Sequence, residues 1–170
     1  MNKSITQKNR EIYDYMVEAN KKIILSGKDI ESVCYAIVFN KKDDFSIFPI
    51  PLSQAGNANE RRALLSEVGK ILKINKVKVK MFMLSTTARI FKKENEEDKK
   101  ECILFSARDY LDNQRNSVYE IIKKENGVEL KEMEDNPNLD WKTKGKIGKD
   151  KPKFEDSLLN SVWSEYRKLK

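Results

Sequence analysis

The chain has 170 residues, 39% hydrophobic and 36% charged, which describes one globular domain with a highly charged surface, large enough to bury a core without disulfides or metal. It contains no histidine, which removes the commonest general base, the usual activator of a serine or cysteine nucleophile, and the favoured ligand of zinc or copper. The net charge is +7, yet six lysines and one acid, Asp150, fall between Lys142 and Lys153, so five of the seven charges belong to that segment and the rest of the chain carries only +2.

No apolar run approaches the roughly 20 residues needed to span a bilayer, and Met1 to Arg10 lack the apolar core of a signal peptide. A cytoplasmic location is the expectation. Cys34 and Cys102 both sit in apolar, strand-like runs, where a free thiol serves as a small hydrophobe and not as part of a disulfide framework.

Ser4 followed by Gln7 has the form of a capping box, and Ile5, Ile12, Met16, Ala19 and Ile23 recur at helical spacing. A helix from Ile5 to Leu25 is predicted, ended by Gly27. Val33 to Phe39 is a continuous apolar run that predicts a buried strand, with Phe45 to Ile50 as its hairpin partner across the polar residues Asn40 to Asp44. Pro49 and Pro51 cannot donate to a ladder, so the end of this partner is expected at a sheet edge or already irregular. A loop over Leu52 to Asn59 leads into a second helix, capped by Asn57 or Asn59, with Leu64, Leu65, Val68, Ile71 and Leu72 as its apolar stripe. Gly69 inside that helix suggests close packing against the sheet.

The central stretch runs from Val77 to Phe91. Val77, Val79, Met81 and Met83 alternate with Lys78 and Lys80, and then Phe82 and Leu84 make the opposite face apolar too, so the middle of this strand calls for cover on both sides. Lys92 to Lys100 has no apolar side chain and reads as a solvated loop. Further strands are predicted at Cys102 to Ala107, Ser117 to Lys123 and Val128 to Met133, with a turn-rich stretch at Asp112 to Asn116 and a type I′ hairpin at Asn126-Gly127. The fold class is therefore α+β: a mainly antiparallel sheet of five to six strands in the order α-β-β-α-β-β-β-β, over residues 1–134. Residues 135–155 read as a lysine-rich linker. Residues 156–170, capped by Asp156 or Ser157, read as a C-terminal amphipathic helix that packs either on the domain or on a partner.

Four groups of residues are candidates for function. Ser53, Gln54 and Asn57 at a helix N-terminus, followed by Arg61 and Arg62, present N–H groups and forked donors suited to phosphate or carboxylate; a capped helix with a solvated arginine pair, common at ordinary helix starts, is the plainer reading. Lys142, Lys144, Lys146, Lys149, Lys151 and Lys153, between Trp141 and Phe154, offer phosphate neutralisation with aromatic stacking, or a solvated linker. Lys76, Lys78 and Lys80 extend such a basic surface or protect a strand end from edge pairing. Leu158, Leu159, Val162, Trp163 and Tyr166 form the strongest amphipathic stripe in the chain and serve as an interface, or as cover for the second face of the sheet.

No catalytic signature rises above chance, and the least implausible constellation is Asp109 with Glu129 and Lys131. An acid at a strand end and Glu-x-Lys on a later strand resembles the metal-binding pattern of restriction-endonuclease-like nucleases, which implies carboxylates holding a divalent cation and a lysine assisting a water. The resemblance covers three residues. That family's core mixes parallel strands with crossover helices, whereas Asn126-Gly127 predicts a local hairpin, and alternation on an outer strand face explains the same residues. No cofactor or metal is called for. The sequence thus points to a non-catalytic binding or assembly module, with a protein partner or a second copy engaged through the last helix. A nucleic-acid-binding accessory protein is the alternative and a metal-dependent nuclease the third reading.

Overall fold

The computed structural model describes residues 5–40, 44–90, 100–133 and 153–168. The Ser4 cap, the 92–99 loop, Trp141 and the lysines from Lys142 to Lys151 lie outside the described residues.

Helix α1 (Ile5–Leu25) leads into the hairpin β1 (Val33–Phe39) and β2 (Phe45–Pro51). Helix α2 (Ala58–Ile74) follows, then β3 (Val79–Ile90), β4 (Lys100–Asp109), β5 (Gln114–Lys124), β6 (Gly127–Glu132) and helix α3 (Lys153–Arg167). The six strands form one sheet in the order β2-β1-β3-β4-β5-β6, and every neighbouring pair is antiparallel. Because β2 and β3 both run opposite to β1, α2 is a crossover between two strands of the same direction that skips the strand between them.

The chain order, the antiparallel sheet and the C-terminal helix are those expected from the sequence. Several boundaries differ. Gln114 to Asn116 belong to β5 and not to a turn, and α3 begins at Lys153, ahead of Asp156. β3 lies inside the sheet between β1 and β4, so Lys78 and Lys80 do not guard an edge; Lys76 and Lys78 precede the strand altogether.

One apolar cluster lies on each face of the sheet. On the first face α1 places Ile12, Tyr13, Met16, Val17 and Ile24 over Met81 and Met83 of β3 and Ile103, Phe105 and Ala107 of β4. Ile23, expected in that stripe, is 44% exposed, and its place is taken by Tyr13, Val17 and Ile24. Tyr13 is buried because its hydroxyl has partners across the sheet, the Phe105 carbonyl at 3.3 Å and Ser117 Oγ at 2.7 Å. On the second face, Cys34 and Ala36 of β1 and Val79, Phe82 and Leu84 of β3 meet Leu65 of α2 and Leu158, Leu159, Val162 and Trp163 of α3.

Val79 thus shares a face with Phe82, not with Met81 as simple alternation requires. Ile37 pairs with Met81 and Val38 with Val79, leaving Lys80 as the extra residue of a β-bulge. The bulge carbonyl accepts the Tyr110 N–H at 2.9 Å, and the Lys80 ammonium stands 4.4 Å from the centre of the Tyr110 ring. A lysine read as part of a free basic row is in this way engaged with the β4–β5 turn.

Candidate functional site

The start of α2 is organised by its own residues. Asn57 is the N-cap, with extended backbone, and its side-chain oxygen accepts the Glu60 N–H at 2.9 Å. Glu60 in turn accepts the Gly56 N–H at 2.5 Å, one residue ahead of the cap, in a variant of the capping box. Arg62 donates to Asn59 at 2.9 Å. The negative charge that a helix N-terminus attracts is therefore supplied by Glu60, and Ser53 and Gln54 lie in an exposed turn that precedes the helix. Of the five residues read as an anion site, Asn57 is committed to the cap and Arg62 to Asn59. Arg61 Nε is buried without a hydrogen-bond partner.

The stripe of α3 is seated on the chain's own sheet. Leu158 and Val162 are fully buried, and Leu159 and Trp163 nearly so. Trp163 meets the edge of Phe82 with ring centres 4.7 Å apart and donates its indole N–H to the Arg108 carbonyl at 3.1 Å. Tyr166 donates to the Val77 carbonyl at 2.5 Å and accepts the Val79 N–H at 3.0 Å, pinning the start of β3. Arg167 lies over the Trp163 ring at 4.5 Å and pairs with Asp112 at 2.7 Å. The buried Arg108 guanidinium donates to Asn160 of α3 and, with the Gln114 amide oxygen turned toward it, to Gln114. All five residues read as an interface thus have partners within the chain.

α2 packs along α3. A β carbon built on Gly69 would lie 2.5 Å from the Val162 carbonyl oxygen, so this glycine marks a close helix–helix contact and not contact with the sheet.

Asp109 is fully buried and acts as a hub for the β4–β5 turn. One carboxylate oxygen accepts the Leu111 and Asn113 N–H groups, each at 2.9 Å; the other accepts from the side chains of Asn113 at 3.0 Å and Asn9 at 3.3 Å. This arrangement is an extended Asx turn tied to α1. Glu129 pairs with Lys124 at 2.7 Å. Lys131 stands beside Glu120, which stands beside Cys102, seven residues along β4 from Asp109, or roughly 23 Å at the rise of a strand. The three residues that resembled a nuclease site are not brought together. Among the described residues no group of three acidic or cysteine side chains is placed to hold a metal ion.

Both cysteines are buried. Burial pushes the Cys34 thiol up to about 12 and raises that of Cys102, which disfavours the reactive thiolate at both.

The sequence reading missed the flank formed by β2 and α2. Ile71, expected in the buried stripe, is 55% exposed, Ile74 is 76% exposed, and Phe48 on β2 is 50% exposed. Phe48 pairs with Ala36, whose side chain lies in the α2–α3 cluster, so Phe48 is on that same face of the sheet. Around the α2 axis Gly69 faces α3 on one side of Leu65, while Leu64, Val68 and Ile71 fall on the other side. The signal in the sequence was an apolar arc, from Leu65 round to Ile74, broader than one buried stripe. Among the described residues no helix is long and apolar enough to cross a membrane. The chain matches no protein-family model, no curated protein and no solved structure.

Proposed function

We propose that the chain is a non-catalytic binding or assembly module whose contact surface is the flank of β2 and α2. The observation that carries this reading is the solvent exposure of Phe48 on β2 and of Ile71 and Ile74 on α2, in a fold whose last helix is already occupied in cis. Large apolar side chains left in solvent on neighbouring elements supply the material of a contact surface where they form a contiguous patch. The ends of the edge strand refine the mode of contact. Pro49 and Pro51 have the same parity in β2, and the β1–β2 ladder is kept only if their missing N–H groups lie on the outer side. Strand addition at that end is blocked, so a partner engages side chains. Light scattering over a range of concentrations tests the reading in its self-assembly form. A mass that rises with concentration in the full chain and stays monomeric in Phe48→Asp and Ile71→Asp is expected. A monomeric full chain at every concentration, or association unchanged in both variants, counts against it.

A second reading rests on the charge of Lys142 to Lys153. Six lysines against one acid suit a phosphate backbone. Binding to a generic duplex or single strand that falls steeply with salt, and is lost when these lysines are replaced by glutamine, is its expected signature; salt-insensitive or absent binding removes it.

A further inference from the structure

On the face covered by α1, the β3–β4 and β5–β6 strands extend past the end of the helix. The chain turns away there at Gly27, in the left-handed conformation at φ +83°, and a β carbon built on it would meet nothing within 4 Å. The result is a cleft of about 300 Å³ between the end of α1, residues 27–30 and the sheet. This is the lower end of the range for sites that take small ligands.

The floor of the cleft is aliphatic, made by Ile24, Ile30, Ile121 and Val128. Its rim is charged and balanced, with Lys28 and Lys123 against Asp29 and Glu101. Lys123 and Glu101 neutralise one another at 3.3 Å. Lys28 and Asp29 are adjacent and have no ion pair among the described residues. A rim with no net charge favours neither a simple anion nor a simple cation, but a lysine and an aspartate side by side suit a molecule that carries both charges close together. An aliphatic floor adds the requirement of a short hydrocarbon body.

We propose that this cleft binds a small zwitterion with a branched aliphatic body, of the size of a single aliphatic amino acid, with Lys28 receiving its carboxylate and Asp29 its ammonium group. The negative end of the α1 dipole lies at the same end and favours the ammonium. This site is on the opposite face of the sheet from the β2–α2 flank and does not depend on it.

The test is methyl NMR on the full chain titrated with L-leucine, and in parallel with 4-methylpentanoate, which lacks the ammonium, and isoamylamine, which lacks the carboxylate. Saturable shifts confined to the methyls of Ile24, Ile30, Ile121 and Val128 are expected with leucine, and binding weaker by about fivefold with each single-charge analogue, the upper end for an exposed ion pair. Lys28→Glu and Asp29→Lys, at exposed positions that leave the fold intact, should each weaken leucine by a similar factor. Absence of saturable shifts up to the solubility limit of leucine overturns the proposal. So does equal binding of all three probes, which would make the cleft an apolar crevice without head-group recognition, or leucine binding unchanged in both variants.

Discussion

Gly69 of α2 sits against the backbone of Val162 in α3 so closely that a β carbon would come within 2.5 Å of the carbonyl oxygen, 3.1 Å of Glu165 Cβ and 3.2 Å of the Tyr166 nitrogen. The nearest obstacle is backbone and cannot swing aside. Gly69→Ala therefore forces the helices apart. Alanine is favoured over glycine by ~1 kcal/mol in a free helix, but overpacking of this kind costs about 1–3 kcal/mol. A net fall in stability, read as a lower urea midpoint, is expected. A rise would show that α2 and α3 can separate without loss.

The buried carboxylate of Asp109 is a structural hub, and its removal should cost stability. Asp109→Asn turns an oxygen that accepts into an amide that donates toward Asn9 and Asn113, leaving buried donors without an acceptor. Such a loss costs about 1–3 kcal/mol. A urea titration of Asp109→Asn should show that decrease, with a matching decrease in Asn113→Ala. Unchanged stability in both would mean the turn does not depend on the carboxylate.

How much of this was legible in the sequence follows from how local each cause is. α1 and β1 carry their signals within themselves, a helical repeat ended by Gly27 and an uninterrupted apolar run, and both have the bounds expected. The burial of Asn9 and Tyr13 has its cause some hundred residues away, in Asp109 and Ser117, and no period in α1 announces it. The bulge at Lys80 is equally non-local, since it exists only in the register of β3 against β1. Regular alternation placed Val79 on the wrong face for that reason. Glu60 was the missed clue at the start of α2: an acid three residues after Asn57 ties back the chain just ahead of the cap and supplies the negative charge the helix end attracts. The exposure of Ile71 follows from α3 covering the Gly69 side of α2, which the pattern of α2 alone does not contain.

Alkaline pH should destabilise the fold from within. Burial raises the Cys34 thiol from its ordinary 9.0 to about 12. Burial also raises the Tyr13 phenol above its ordinary 10.0, outweighing the opposing hydrogen bond with Ser117 and the nearby Arg115. Both groups hold their protons more tightly folded than unfolded, so their contribution is complete below about pH 9 and is lost as pH rises toward 12. The urea midpoint should be level across neutral pH and fall above about pH 9. A midpoint that stays level to pH values near 12 would show that neither group is held in its neutral form by the core.

The central claim is that α3 is a wall of the core, so that the surface available to partners lies on the β2–α2 flank. Deleting it uncovers Phe82, Leu84 and Cys34 and removes the four buried side chains from Leu158 to Trp163, each worth roughly 1.5–3 kcal/mol when fully buried. The most direct measurement is light scattering with urea unfolding on the full chain and on a chain ending at Glu134. A shortened chain that aggregates or unfolds without a cooperative transition is the predicted result. A shortened chain that is a folded, cooperatively unfolding monomer would contradict it, and would return α3 to the role of a detachable arm.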